Sequence, residues 1–168
     1  MSSVRRAAAS AHAILPRARC PKGKTAVVGM KDRATNQVTA KVIDSVDGET
    51  LNAFVDQHTD PEVEVYTDGA TAYKGRKHHE AVSHSAGEYV RYFRGVKIHT
   101  NGVESFWGML KRAHKGVYHK LSAKHLQRYV SQFAGRQNVR EMDTLEQMQH
   151  VVAGLVGRRL TYRDLVDG

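Results

Sequence analysis

One cysteine in 168 residues, Cys20, leaves no partner for an internal disulfide and too few thiolates for a two- or four-cysteine zinc site. Long apolar runs are missing as well. No stretch approaches the roughly 18 residues that a bilayer-spanning helix needs, so no membrane segment is expected. Acidic residues are absent from the first 31 positions, where Arg5, Arg6, Arg17, Arg19 and the Ala-rich stretch 6–14 fall instead. That composition suits a disordered or misassigned basic leader over residues 1–21. An organelle transit peptide is the alternative, because such peptides are rich in Arg and Ser and poor in acids. The apolar centre of a secretory signal is lacking, and no internal repeat or low-complexity tract is visible.

What is present is ordinary for a single globular domain: 40% apolar and 26% charged residues in a chain long enough to bury a core. Twenty-six Lys and Arg stand against 17 Asp and Glu, for a net charge of +9. Such a balance favours a polyanionic partner, DNA or RNA, through neutralisation of phosphates.

From Lys24 the hydropathy pattern becomes regular. Residues 25–30 read as a buried strand, 31–37 as a turn and 38–43 as a second strand, which makes a hairpin. A short helix over 50–58, with Leu51, Phe54 and Val55 on one face, leads to a strand over 63–67. Segment 69–99 is polar and rich in His and Gly, with a short helix expected near 71–74 and a strand near 89–93. Three helices follow. The first, 101–114, buries Val103, Phe106, Trp107 and Leu110 at offsets of three, four and seven. The second, 122–138, has Ser122 as its cap and buries Leu126, Tyr129, Val130 and Phe133. The third, 144–156, carries Leu145, Met148, Val152 and Leu155.

Asp68 closes the strand over 63–67, and Glu104, with 35 residues between the two, lies in the first turn of the helix that follows. A strand-end Asp and a helix-borne Glu that converge can hold paired divalent metals about 3.5–4 Å apart, which clamp the attacking and leaving oxygens of a phosphodiester. Each residue also has a plain structural reading. Asn101 and Glu104 have the spacing of a capping box, and Thr67-Asp68-Gly69 is common turn chemistry. Lys111 follows Glu104 by seven positions on the same helical face, across a Gly108 that adds no bulk, so a phosphate can approach there. Arg112, Lys115, Lys120, Lys124 and Arg128 extend a basic stripe with Tyr118 and His119 interleaved; the plain reading is a solvated face, the functional one a DNA surface. His78, His79 and His84 lack a second ligand pair at zinc-finger spacing and are read as surface or hydrogen-bonding histidines. Gly23-Lys24-Thr25 ends like a phosphate-binding loop, but Ala18 stands where the loop needs glycine.

The string His99-Thr-Asn-Gly-Val-Glu-Ser-Phe-Trp-Gly-Met-Leu-Lys111, with Gly116-Val-Tyr-His119, His125-Leu-x-Arg-Tyr-Val130 and Phe133-x-x-Arg-x-Asn138, resembles the ISXO-like DDE transposases of bacterial insertion sequences. The likeness extends over nearly all of 22–168. It implies an α/β fold, a ribonuclease-H-like mixed sheet with flanking helices, and an Asp-Asp-Glu set binding two Mg²⁺ or Mn²⁺. Asp68 matches the second Asp, Glu104 the Glu, and Lys111 the basic residue after it; Asn101 is a secondary candidate. Transposon ends and target DNA are the implied partners, in a bacterial cytoplasm.

The resemblance also implies a first Asp on the opening strand of the sheet, and residues 1–21 offer no Asp or Glu. Asp32 and Asp44 lie next to turns and are not favoured as replacements. The expectation is therefore an amino-terminally truncated fragment: a leader over 1–21, a partial catalytic domain over 22–168, and a sheet without its first strand. A zinc-ribbon end-recognition module is not expected with one cysteine. Gln132 and Gly135 replace residues that are acidic and aromatic in the resembled string. The functional expectation is DNA strand cleavage and transfer with impaired catalysis. The alternatives are a non-catalytic DNA-binding protein that assembles with itself or with a full-length transposase, and an organelle-imported nuclease.

Overall fold

The computed structural model describes residues 6–13, 25–67, 73, 75–81, 91–93, 96–98, 101–118 and 121–166. A five-stranded sheet forms the centre, built from β1 (Arg6–Ala13), β2 (Ala26–Asp32), β3 (Val38–Ile43), β4 (Glu64–Thr67) and β5 (His79–Ala81). Its strand order is β3-β2-β1-β4-β5. β1, β2 and β3 pair antiparallel, and β4 runs parallel to both β1 and β5. The sheet is thus mixed, as expected. A separate hairpin joins β6 (Arg91–Phe93) to β7 (Val96–Ile98), near the strand expected over 89–93.

The missing first strand is a correction. Arg6–Ala13, inside the stretch expected to be a leader, forms the middle strand of the sheet, in register with β2 from Ala7↔Asp32 to Ala13↔Ala26 and with β4 at Ala8↔Tyr66. Its Ala, Ser and Arg content carries no strand signal, because strand propensity is concentrated in β-branched and aromatic residues. Context decides here. β2 and β4 present two backbone edges about two strand spacings apart, and a segment between them satisfies both.

Alternation along β2 sends side chains to two cores. Ala26, Val28 and Met30 pack with Ile43, Val63 and Val65 under Leu51, Phe54 and Val55 of α1 (Gly48–His58), a helix capped by Asp47, whose carboxylate accepts from the Thr50 N–H at 2.7 Å. Val27 and Val38 face the other way, against Val103, Phe106, Trp107 and Leu110 of α2 (Asn101–Ala113) and Leu126, Val130, Phe133 and Ala134 of α3 (Leu126–Val139). One helix therefore covers one face and two cover the other. Tyr129, expected in the core, is only half-buried at its margin, and Ser122 precedes a 3-10 turn, Ala123–His125, without making the expected side-chain cap.

Two contacts lock α2 and α3 onto the sheet. Gly29 of β2 lies beneath Trp107: a Cβ there would stand 2.7 Å from its Cζ2, so only glycine lets the indole settle on the strand. β3 is an edge strand, and α3 covers its open backbone with two amides. Asn138 accepts from the Val38 N–H at 2.7 Å and donates to the Val38 carbonyl at 3.0 Å, while Gln127 accepts from the Val42 N–H at 2.7 Å. Covering an edge in this way removes a template for pairing with another chain.

Beyond α3 come α4 (Thr144–Leu155) and α5 (Tyr162–Val166). α4 opens with a full capping box between Asp143 and Glu146, yet none of its residues is buried. No helix among the described residues is long and apolar enough to cross a membrane.

Candidate active site and nucleic-acid interface

The apolar stripe of α2 fixes which way its polar residues point. With Val103, Phe106, Trp107 and Leu110 fully buried, Glu104 is left half-buried at the border of the stripe, and Asn101, Lys111 and Arg112 are exposed. The backbone approaches the sheet closely at Gly102, where a Cβ would stand 2.9 Å from Cδ of Lys31 on β2. Lys31 is thereby drawn over the amino end of α2. Partial burial, and then the Arg140 charge, pull its pKa below the ordinary lysine value, with Glu141 acting in the opposite sense. Nothing in the sequence signalled that contact, since it joins residues 71 positions apart on two different elements.

Gly108 was read as a bare patch between Glu104 and Lys111. The structure puts Nη1 of Arg112 3.4 Å from where its Cβ would be, so the guanidinium lies over that glycine. α2 then widens into a π turn, His114–Tyr118, that leaves Lys115 exposed. Tyr118 anchors the turn on α3, edge-on to Tyr129 at 4.7 Å and to Phe133 at 6.1 Å. Lys111, Arg112 and Lys115 thus share one short exposed stretch, a geometry suited to contacting consecutive phosphates.

The rest of the basic stripe is arranged differently. Lys124 and Arg128 are exposed but turn toward the tail: Nζ of Lys124 donates to the Val166 carbonyl, and Nη2 of Arg128 to the Asp164 carbonyl at 2.8 Å. Lys120 lies outside the described residues, as does Asp68.

The strand leading to Asp68 is well defined. Thr67, the last described residue of β4, is fully buried, and its hydroxyl shares a 2.7 Å hydrogen bond with Nε2 of His79 on β5. Burial, helped by Arg76 and opposed by Glu80, holds His79 below the usual histidine pKa. The hydrogen-bonding reading of this histidine is thereby met. β5 is three residues long, too short for a period-2 signal, and so escaped the sequence reading.

The central strand brings no carboxylate: Arg6–Ala13 reads RAAASAHA. Asp32 and Asp44, the disfavoured replacements, lie at the end of β2 and just past β3. Asp32 accepts from the Ala34 N–H at 2.7 Å, which is turn chemistry.

The ISXO2-like transposase domain matches residues 5–138. The chain belongs to that family. The match starts at the threshold of β1 and stops at Asn138, so it takes in the whole sheet with α1, α2 and α3 and leaves out α4 and α5. No curated protein matches the chain. DDE transposases generally use a divalent metal. Among the described residues no group of three or more His, Cys, Asp and Glu is placed to hold one, and β1 adds no acid, so the described donor set is too small for that ion.

Proposed function

We propose that this ISXO2-like transposase domain acts on DNA as an insertion-sequence transposase, with strand cleavage and strand transfer as its ancestral reactions and with impaired catalysis of its own. Family membership supports the transposition reading. The sheet order with β4 and β5 parallel to a central β1, and helices on both faces, supports the ribonuclease-H-like form of the fold. In this reading Asp68 and Glu104 are the surviving carboxylates for Mg²⁺ or Mn²⁺, with Asn101 as a secondary candidate.

Lys111 acts as the positioning cation, and Arg112 and Lys115 continue its contact with the phosphate backbone. Such contacts hold DNA without reading its sequence. Lys120, Lys124 and Arg128 would extend the same surface, the last two after exchanging their tail carbonyls for phosphates. The work is placed in a bacterial cytoplasm.

A carboxylate-free β1 is the observation that also favours a second reading, a DNA-binding protein without catalysis that assembles with itself or with a complete transposase. The two separate on labelled duplex DNA carrying candidate terminal repeats, incubated in Mg²⁺ or Mn²⁺ beside Asp68→Ala and Glu104→Gln variants. Products that vanish in both variants support the enzyme. Salt-sensitive binding without products supports the binding protein, and no DNA binding at all removes both.

A further inference from the structure

The geometry points to α4 as the pairing surface for a second copy of this chain, in an antiparallel two-helix contact. Leu145, Met148, Val152 and Leu155 follow one another at steps of three, four and three, the spacing of a coiled-coil seam. All four are exposed, at 64%, 61%, 59% and 63%, and Val151 and Val156 flank them at 55% and 76%. A helix of 12 residues is marginal in water without packing, whatever its caps contribute. Here none of its residues is buried, and the segment lies past the end of the family match.

The charges select the occupant. Glu141 and Asp143 precede the helix, Glu146 lies in its first turn, and Arg158 and Arg159 follow its end. Two copies side by side in parallel would set acid against acid and arginine against arginine. Turned antiparallel about a two-fold level with His150, they place Leu145 opposite Leu155 of the other copy and Met148 opposite Val152, and they set the acidic amino end of each helix, with Glu146 in its first turn, beside the end that Arg158 and Arg159 follow. Apolar layers meet apolar layers, and opposite charges close both ends. At roughly 100 Å² of apolar surface for each of six side chains, the pair buries about 1,200 Å², the lower limit of a specific interface. The contact is isologous, closes on itself and stops at two copies. It does not depend on the DNA reading.

Sedimentation of the full chain over a concentration series, beside a Met148→Glu/Val152→Glu variant, tests the surface. The wild type should move from one to two chain masses, and the variant should stay at one while its buried Trp107 keeps the fluorescence of the folded core, since Met148 and Val152 face solvent in the single chain. Orientation is read in a Cys20→Ser background by mixing Leu145→Cys chains with Leu155→Cys chains. Disulfides should form between the two kinds of chain and not within either kind alone. A wild type that remains monomeric, a variant that still dimerises, or crosslinking of Leu145→Cys chains to each other would each overturn the proposal.

Discussion

β1 and α2 supply the two sides of the candidate site, and they have parted company. α2 keeps the string from Asn101 to Lys111, packs four residues fully into the core, and holds Glu104 and Lys111 at its surface. β1 keeps its place in the middle of the sheet, paired on both edges, but offers Ala, Ser, His and Arg where the family resemblance implies an Asp. A strand's position is held by backbone hydrogen bonds that any non-proline residue can make. A metal ligand is held by one side chain. Under the proposed function, shape outlasts chemistry at this site, and the domain keeps a DNA surface after its catalytic set is broken.

The comparison can be pushed hardest at the contact that seats α2 on β2, the strand paired with β1. Trp107→Ala removes the indole from Gly29 and should cost about 3–5 kcal/mol, read as a large fall in the denaturation midpoint. If the loss is small, α2 is not what anchors this face of the sheet.

Asn138→Ala comes next. It strips both amide bonds from the Val38 backbone and should cost about 1–3 kcal/mol while promoting aggregation through the bared edge of β3. Light scattering and chemical denaturation report the two effects. Gln127→Ala, with one short bond to Val42, should do less.

A smaller effect belongs to the other end of the sheet. His79 is held below its ordinary pKa, so the folded state favours neutral imidazole. Its contribution is then complete above about pH 6.5 and is lost as the pH falls through the lowered folded value. Melting temperatures of the wild type should drop more between pH 7 and 5 than those of His79→Asn. Equal slopes would mean that the Thr67 contact does not sense the proton.

The smallest change is expected at Lys111→Ala. DNA binding should weaken about equally on all sequences, and the salt dependence should lose about one ion. A sequence-dependent loss would point to base contacts instead.

Periodicity made α2 and α3 legible, along with the β2–β3 hairpin and α1, because each alternates or repeats strongly enough to declare its buried face. Glu104 and Lys111 were readable for the same reason: the helix that carries them is amphipathic. β1 was not readable, since its residues have no strand preference and only the gap between β2 and β4 makes them one. The tail contacts of Lys124 and Arg128 depend on a carbonyl 42 or 36 residues away, which no local pattern announces. α4 declared itself as a helix but not as an uncovered one. Its stripe looks like a core stripe, and only the fold reveals that none of it is buried.

The most direct test restores what β1 lacks. Asp would be placed at Ala8, paired with Lys31 and Tyr66, and separately at Ser10, paired with Gly29, and each protein compared with the wild type for cleavage of terminal-repeat DNA in Mg²⁺. The wild type should bind without cutting, and at least one restored chain should cut about tenfold or more above it, about 1.4 kcal/mol of barrier. Cutting by the wild type that disappears with Glu104→Gln would contradict the account, because the site would then be complete without an acid on its central strand.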